Sequence, residues 1–128
     1  MPYVAKKPDT YLGRVVGSGQ CVAYVQQVCG APQTKKWQRG AKVQHLLDLE
    51  PGTAIATFGL TGTYLNDEHG LSHAAVYLTQ NDKGLLVLDQ WKGQPVHQRL
   101  LRFGAPLPIN NGECFYVIEP AGQATLKV

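Results

Sequence analysis

One helical segment followed by a series of strand-like segments limits the folds open to this chain. Apolar residues recur at the spacing of a single helix face: Cys21, Val22, Val25, Val28 and Cys29. We therefore predict a helix over residues 20–29. Ser18 or Gly19 is expected as its N-cap, and Gly30 as its end.

The rest of the chain is rich in strand patterns. Five segments have strand character: residues 53–58, 73–80, 84–91, 96–103 and 114–119. Residues 31–52 are mixed, with short helical turns expected around 34–39 and 42–47, and residues 59–72 are expected to form a functional loop. The order predicts an α+β fold, a single domain over residues 1–128, with the N-terminal helix packed on an antiparallel sheet of about five strands.

Composition excludes several classes of protein. An apolar content of 44% with 16% charged residues is typical of a globular domain and argues against disorder. A net charge of +3 suits an anionic partner such as a cell-wall polymer, but no basic block with interleaved aromatics indicates nucleic-acid binding. No apolar run is long enough for a membrane span. The first residues lack the apolar stretch of a signal peptide, so we expect synthesis as a soluble cytoplasmic chain.

The three cysteines are Cys21, Cys29 and Cys114, and their spacing carries no metal-binding signature. We therefore expect neither a metal nor another cofactor. Cys29 and Cys114 could form a disulfide in an oxidising compartment, or could both be buried, inert thiols. The sequence leaves that choice open.

Cys21 is the candidate nucleophile because it opens the predicted helix. The unpaired N–H groups and positive dipole at a helix N-terminus stabilise a thiolate, which is the reactive form of cysteine. A cysteine hydrolase also needs a base. His73 is favoured, since it opens a strand directly after the predicted loop. His69 lies within that loop, and neither His45 nor His97 has a special context.

The third site residue depends on the register of the hairpin formed by residues 73–80 and 84–91. Asp89 and Gln90 are adjacent and point to opposite faces of the sheet, so only one of them can meet His73. Pairing residue 80 with 84 selects Asp89, whereas pairing 80 with 85 selects Gln90. We favour Asp89, because a carboxylate both orients the imidazole and stabilises the imidazolium.

These segments resemble those of a known family. Residues 19–25, GQCVAYV, are similar to the G-Q-C-x-x-Y-V signature of CHAP amidases, which belong to the papain-like NlpC/P60 superfamily. Residues 50–58 resemble the turn and first core strand of that family, and residues 73–77 its catalytic histidine strand. Residues 88–91, LDQW, resemble its Glu-Gln-Asn-Trp segment, with one residue fewer before Trp91. Either Asp89 then stands for the acid or Gln90 for the asparagine.

The resemblance implies a papain-like fold and cleavage of peptidoglycan amide bonds through a thiol acyl-enzyme. It implies Cys21, His73 and Asp89 as catalytic residues, with Gln90 as the alternative third residue. Gln20 and Trp91 are then expected at the substrate or oxyanion site. The backbone N–H of Cys21 would be one oxyanion donor. Gln20 and an upstream tyrosine such as Tyr11 are candidates for the second.

The compact form also resembles the amidase effectors that bacteria inject into rivals by type VI secretion. That resemblance implies export to the periplasm of a target cell and a dedicated immunity protein as partner. Two other interpretations stay open. One is a papain-like hydrolase or acyltransferase that acts on protein or lipid, and the other is a non-catalytic binding module in which Cys21 is structural.

Overall fold

A computed structural model describes residues 1–66 and 71–121. This part of the chain forms an α+β fold with one α-helix and one six-stranded antiparallel sheet, in the order β1-β6-β2-β3-β4-β5. The helix and strands are α1 (Cys21–Cys29), β1 (Trp37–Lys42), β2 (Ala54–Ala56), β3 (Ala74–Gln80), β4 (Gly84–Trp91), β5 (Gln94–Arg102) and β6 (Tyr116–Pro120). Short 3₁₀ turns span Pro8–Tyr11, Thr34–Lys36, Pro108–Asn110 and Gly112–Cys114.

Helix α1 lies where the sequence predicts it, but its cap differs. Gly30 ends the helix in the left-handed conformation, with φ of 72°, and donates its N–H to the carbonyl of Gln26. The N-cap is Gln20 rather than Ser18 or Gly19, because the Ser18 hydroxyl accepts from the N–H of Gln20 and so serves the preceding turn. No helix in the described part of the chain is long and apolar enough to cross a bilayer.

The sheet has six strands, so the prediction of about five is one short. The missed strand is β1, for which the sequence suggested helical turns. Only Thr34–Lys36 is helical there, and residues 43–49 form irregular turns. Strand β1 lacks β-branched residues and pairs only with β6 at the sheet edge, so tertiary pairing rather than local propensity makes it a strand.

The sheet separates two apolar clusters. Helix α1 buries Tyr24 and Val25 against the face that carries Ala74, Val76 and Leu88. Alanines on this face let the helix approach the strands closely. The opposite face packs Tyr77, Leu85, Val87 and Leu101 around Phe115. Full burial of a Val, Leu or Phe side chain is worth about 1.5–3 kcal/mol. Packing on both faces of the sheet therefore holds α1, β3 and β4 in place at the end where they meet.

Candidate active site

Cys21 is the first residue of α1, as predicted. The turn before it is tight, because Gly17 and Gly19 both have positive φ, at 55° and 88°. A Cβ on Gly17 would lie 3.1 Å from the Cβ of Ala23, so this turn rests against the first turn of the helix. The Cys21 N–H belongs to the first turn of α1 and has no intrahelical partner.

His73 lies immediately before β3 and is 5% exposed. Two hydrogen bonds join its backbone to Thr57: the His73 N–H donates to Oγ1 at 3.0 Å, and the Thr57 N–H donates to the His73 carbonyl at 3.0 Å. The His73 side chain and the Cys21 thiol form a hydrogen bond. The predicted pair is therefore in contact.

Both registers weighed for the β3–β4 hairpin occur, one at each end. Gln80 pairs with Leu85, which is the register that favours Gln90. An irregularity between Tyr77 and Thr79 then shifts the pairing by one residue, so Val76 pairs with Leu88. Beyond this bulge the register is the one that favours Asp89, and the Asp89 Oδ2 lies 2.7 Å from the His73 Nε2.

Gln90 points to the other side of β4 and does not meet His73. Its Oε1 accepts from the Val16 N–H at 2.9 Å. Its Nε2 donates to the carbonyls of Val16 and Gln20, both at 2.8 Å. Asp89 and Gln90 thus serve opposite partners, the histidine and the turn that leads into Cys21.

Electrostatic contacts favour a charged thiol–imidazole pair. Burial alone raises the pKa of the Cys21 thiol, but hydrogen bonding and charge from His73, with further bonds from Ala74 and Tyr64, outweigh it and lower the pKa. Burial lowers the pKa of His73, yet Asp89 and the thiol outweigh this and raise it to about 9. The bond with His73 and the charge of Arg99 overcome burial and hold the pKa of Asp89 below its usual value.

Arg99 and His97, two residues of β5, also contact Asp89, and sequence reasoning missed both roles. The Arg99 Nε donates to Oδ2 at 2.8 Å, and the His97 Nε2 lies 3.1 Å from Oδ1. Asp89 is fully buried, so the Arg99 guanidinium and the His97 imidazole both contact a carboxylate that is shielded from solvent. Direct pairing of Asp89 with His97 places them there, a register that the hairpin patterns alone did not reveal.

Tyr64 is the third missed residue. Its hydroxyl lies 3.7 Å from the Cys21 Sγ. The ring is 9% exposed and packs at a tilt on Trp37, with ring centroids 4.9 Å apart. Tyr64 lies in the loop predicted to be functional, but nothing in that pattern singled out one residue.

Tyr11 and Gln20 were the predicted candidates for the second oxyanion donor, and their side chains are placed differently from that of Tyr64. The Tyr11 hydroxyl accepts from the side chain of Gln27 at 3.3 Å, so Tyr11 is engaged beside the outer surface of α1 and not at the thiol. Gln20 is exposed, and its carbonyl rather than its side chain contacts Gln90. His69 lies outside the described residues.

Trp91 borders a cavity beside His73. The indole is 41% exposed, the Arg99 guanidinium lies 5.0 Å from its ring centroid, and the His73 ring is 6.4 Å away, edge-on. The cavity, about 360 Å³, is lined by His73, Trp91, Arg99, Ile109 and Asn110. It adjoins the histidine at the side where a substrate group could lie.

Two further thiols lie outside the Cys21–His73–Asp89 cluster. Cys29 and Cys114 are free, and burial raises the pKa of Cys29 to about 12, which suits an inert thiol. In residues 1–66 and 71–121, no group of three or more His, Cys, Asp or Glu side chains could hold a metal ion.

The sequence matches the family model described as "Domesticated amidase effector 2" (Dae2) over residues 2–118. The chain belongs to the Dae2 family. It is 38% identical over 120 residues to a domesticated amidase effector 2 of Ixodes scapularis, covering 88% of this chain and 81% of the relative. It is 39% identical over 94 residues to a type VI secretion amidase effector 2 protein of Salmonella typhi, covering 72% and 69% of the two chains.

A solved structure of a type 6 secretion amidase effector 2 (Tae2) has the same fold. It superposes with a TM-score of 0.83 at 32% identity, over 96% of this chain and 98% of that one. Membership in the Dae2 family makes this protein an amidase effector and so a hydrolase of amide bonds. It confirms the predicted relation to type VI amidase effectors at the level of the family. The closer relation to CHAP and NlpC/P60 enzymes stays a prediction.

Proposed function

We propose that this Dae2-family protein is a cysteine amidase that cleaves peptide-type amide bonds of bacterial peptidoglycan. The observation that carries the proposal is the continuous contact from the Cys21 thiol through His73 to Asp89 at the start of a helix. A nucleophile, a base and a group that orients the base are the parts that thiol catalysis needs. The amidase effector names of its relatives support the reaction class.

Cys21 would act as the nucleophile. Its lowered pKa and its bond to His73 favour a thiolate beside an imidazolium near neutral pH. Since the His73 Nε2 bonds Asp89, Nδ1 is the ring nitrogen left for the thiol and the substrate. The thiolate attacks the amide carbonyl carbon and forms a carbon–sulfur bond, while negative charge moves onto the carbonyl oxygen.

Collapse of this tetrahedral intermediate breaks the carbon–nitrogen bond. The His73 imidazolium gives its proton to the leaving amine, and the neutral imidazole then takes a proton from water, which hydrolyses the thioester. Asp89 holds the imidazole and stabilises its charged form. The N–H of Cys21 and the hydroxyl of Tyr64 are the donors we assign to the oxyanion.

We also infer a papain-like arrangement of the CHAP type. The order Cys21, His73, Asp89 along the chain and the packing of a cysteine-bearing helix on an antiparallel sheet support it. The substrate class rests on the resemblance to CHAP amidases and on the net charge of +3, which suits an anionic wall polymer. The type VI relative supports delivery into the periplasm of a target cell, with an immunity protein as partner.

The test is mass spectrometry of peptidoglycan fragments after digestion by wild type, Cys21→Ala and Cys114→Ala. Cys114→Ala is the matched control, because it removes a free thiol that lies outside the Cys21–His73–Asp89 cluster. We expect wild type and the control to release the same fragments, with new amino and carboxyl groups, and Cys21→Ala to release none. Unchanged digestion by folded Cys21→Ala would refute thiol catalysis, and intact peptidoglycan with wild type would refute the substrate.

A further inference from the structure

Gln90 is a fully buried polar side chain that the proposed mechanism does not use. We propose that Gln90 is a positioning residue that orients and polarises the peptide bond between Gln20 and Cys21, so that the Cys21 N–H can serve as an oxyanion donor. This inference rests on the proposed role of Cys21. It concerns the same peptide unit that the mechanism uses, approached from its carbonyl side.

The contacts give both ends of the Gln90 carboxamide backbone partners. Both hydrogens of Nε2 are used, one on the Val16 carbonyl and one on the Gln20 carbonyl, each at 2.8 Å. Oε1 accepts from the Val16 N–H at 2.9 Å. A carboxamide has two donors and one acceptor oxygen, so these three bonds fix the side chain and the two backbone segments together.

The carbonyl of Gln20 and the N–H of Cys21 belong to one planar peptide group. A donor on that carbonyl therefore fixes the direction of the N–H as well. It also draws electron density toward the carbonyl oxygen, which makes the N–H a stronger donor, by about 10–30% per bond in condensed-phase estimates. The Ala23 N–H donates to the same carbonyl at 3.1 Å, so two donors act on it.

The chain leading into α1 has no strand or helix of its own to hold it. Its turn contains Gly17 and Gly19, both with positive φ, and Gln20 makes no side-chain capping bond. The segment is held from β5 by backbone bonds of Gly13 and Arg14 to Val96, at 2.8 and 2.9 Å. Gln90 adds the attachment nearest to the thiol.

Adjacent residues of β4 thereby set both halves of the site. Asp89 faces the histidine, and Gln90 faces the turn before the cysteine. Because neighbouring side chains of a strand point to opposite faces, one strand register aligns the base and the oxyanion donor together. The single-residue bulge in β3 that selects Asp89 for His73 is also what turns Gln90 toward Gln20.

The test compares Gln90→Glu with Gln26→Glu. Glutamate has the size of glutamine and can still accept from Val16, but its carboxylate cannot donate to Gln20. Gln26 is the matched control, since it lies on α1 and its Nε2 donates to the Pro32 carbonyl at 3.1 Å. Each protein is assayed for kcat and KM on soluble peptidoglycan fragments, and for alkylation of Cys21 by iodoacetamide across a pH series.

Alkylation separates positioning of the oxyanion donor from general damage, because displacement of iodide forms no oxyanion. We expect Gln90→Glu to lose about 10- to 100-fold in kcat with KM nearly unchanged. This loss is smaller than that caused by removing an oxyanion donor altogether, because the Cys21 N–H is still present. Its alkylation rate at the high-pH plateau should stay within about threefold of wild type. Gln26→Glu should match wild type in both assays. The uncharged Gln90→Met removes all three bonds and should give the same result, a lower kcat with a nearly unchanged plateau rate of alkylation.

Three results would overturn the inference. One is wild-type kcat in folded Gln90→Glu or Gln90→Met, and another is an equal loss of kcat and of plateau alkylation. The third needs no variant. By NMR, the carboxamide protons of Gln90 in wild type should exchange with solvent far more slowly than those of exposed Gln27. Equal exchange rates would show that the three hydrogen bonds do not hold the Gln90 side chain. If Cys21 itself is not required for turnover, it is the proposed function that fails instead.

Discussion

Cys21 and Asp89 lie on opposite sides of His73, and their surroundings differ in kind. The half that holds the proposed nucleophile, Cys21 with Tyr64 and Gln90, is held by neutral side chains and backbone groups; we call it the nucleophile half. The acid–base half, His73 with Asp89 and Arg99, is held by buried charges that share one carboxylate oxygen. The first half should respond to geometry, and the second to pH and charge.

The two halves contribute different properties to the site. Neutral hydrogen bonds fix direction with little dependence on pH, which suits an oxyanion donor. Buried charge shifts pKa values, which suits an acid–base residue. Substitutions in the two halves should therefore differ in their pH profiles as well as in the size of their effects.

Among substitutions of the residues that surround Cys21 and His73, the largest effect is expected from Asp89→Asn, in the acid–base half. It removes the charge that stabilises the imidazolium, and kcat should fall about 10³- to 10⁴-fold. The pKa of His73, raised mainly by its bond to Asp89, should return toward its ordinary value. Rates measured across pH on soluble fragments test both effects. A loss in kcat below tenfold with an unchanged pH–rate profile would show that Asp89 does not take part in catalysis.

Tyr64→Phe should have the next largest effect, in the nucleophile half. Loss of one oxyanion donor costs about 10²- to 10³-fold in kcat. The hydroxyl is neutral and its bond contributes least to the lowered pKa of Cys21, so the shape of the pH–rate profile should be nearly that of wild type. Tyr11→Phe is the matched control, since the Tyr11 hydroxyl accepts from Gln27 beside the outer surface of α1 and its loss should leave kcat unchanged. Equal activity of both variants would exclude Tyr64 as a donor.

Wild-type activity should fall at high pH through the acid–base half. The folded pKa of His73 is raised to about 9, so the imidazolium persists through neutral pH and is lost as pH rises through about 9. In the proposed mechanism the imidazolium protonates the leaving amine, so kcat should drop about tenfold per pH unit above that point. Stopped assays at intervals from neutral to alkaline pH measure the limb. A limb near 6.5 would show that Asp89 does not raise the pKa.

Arg99→Met should give the smallest effect of the set. It removes a charge-assisted bond to Asp89, which costs about 2 kcal/mol in the free energy of unfolding and about tenfold in kcat. The pKa of Asp89 should rise, because the charge of Arg99 helps to hold it down. His97→Gln serves as control and should change kcat less than threefold. Denaturant unfolding measures the change in stability, and rate assays measure the change in kcat. A larger effect of His97→Gln than of Arg99→Met would show that His97, and not Arg99, is the more important partner of Asp89.

Local signals were enough to predict the parts of the site that depend on one segment. Helix α1 follows from its apolar spacing, and Cys21 from its place at the helix start. His73 follows from its position between a loop and a strand. The choice between Asp89 and Gln90 did not follow, because the bulge between Tyr77 and Thr79 changes the register within one hairpin.

The remaining parts depend on contacts between segments far apart in the sequence. Strand β1 is made by pairing with β6, against its own propensity. Arg99 reaches Asp89 because β5 pairs with β4, and Tyr64 reaches the thiol because its ring packs on Trp37. A sequence pattern contains none of these contacts, whereas the match to the Dae2 family covers residues 2–118 as a whole.

Direct titration of the Cys21 thiol tests the central claim, a thiolate–imidazolium pair at the start of α1. The measurement is the ultraviolet absorbance of the thiolate across pH in wild type and His73→Ala, with Cys21→Ala as the blank. A thiolate should persist in wild type below the ordinary thiol pKa of 9.0, because His73 lowers the pKa. It should be lost in His73→Ala. Titration of wild-type Cys21 at 9.0 or above, unchanged by His73→Ala, would contradict the pair.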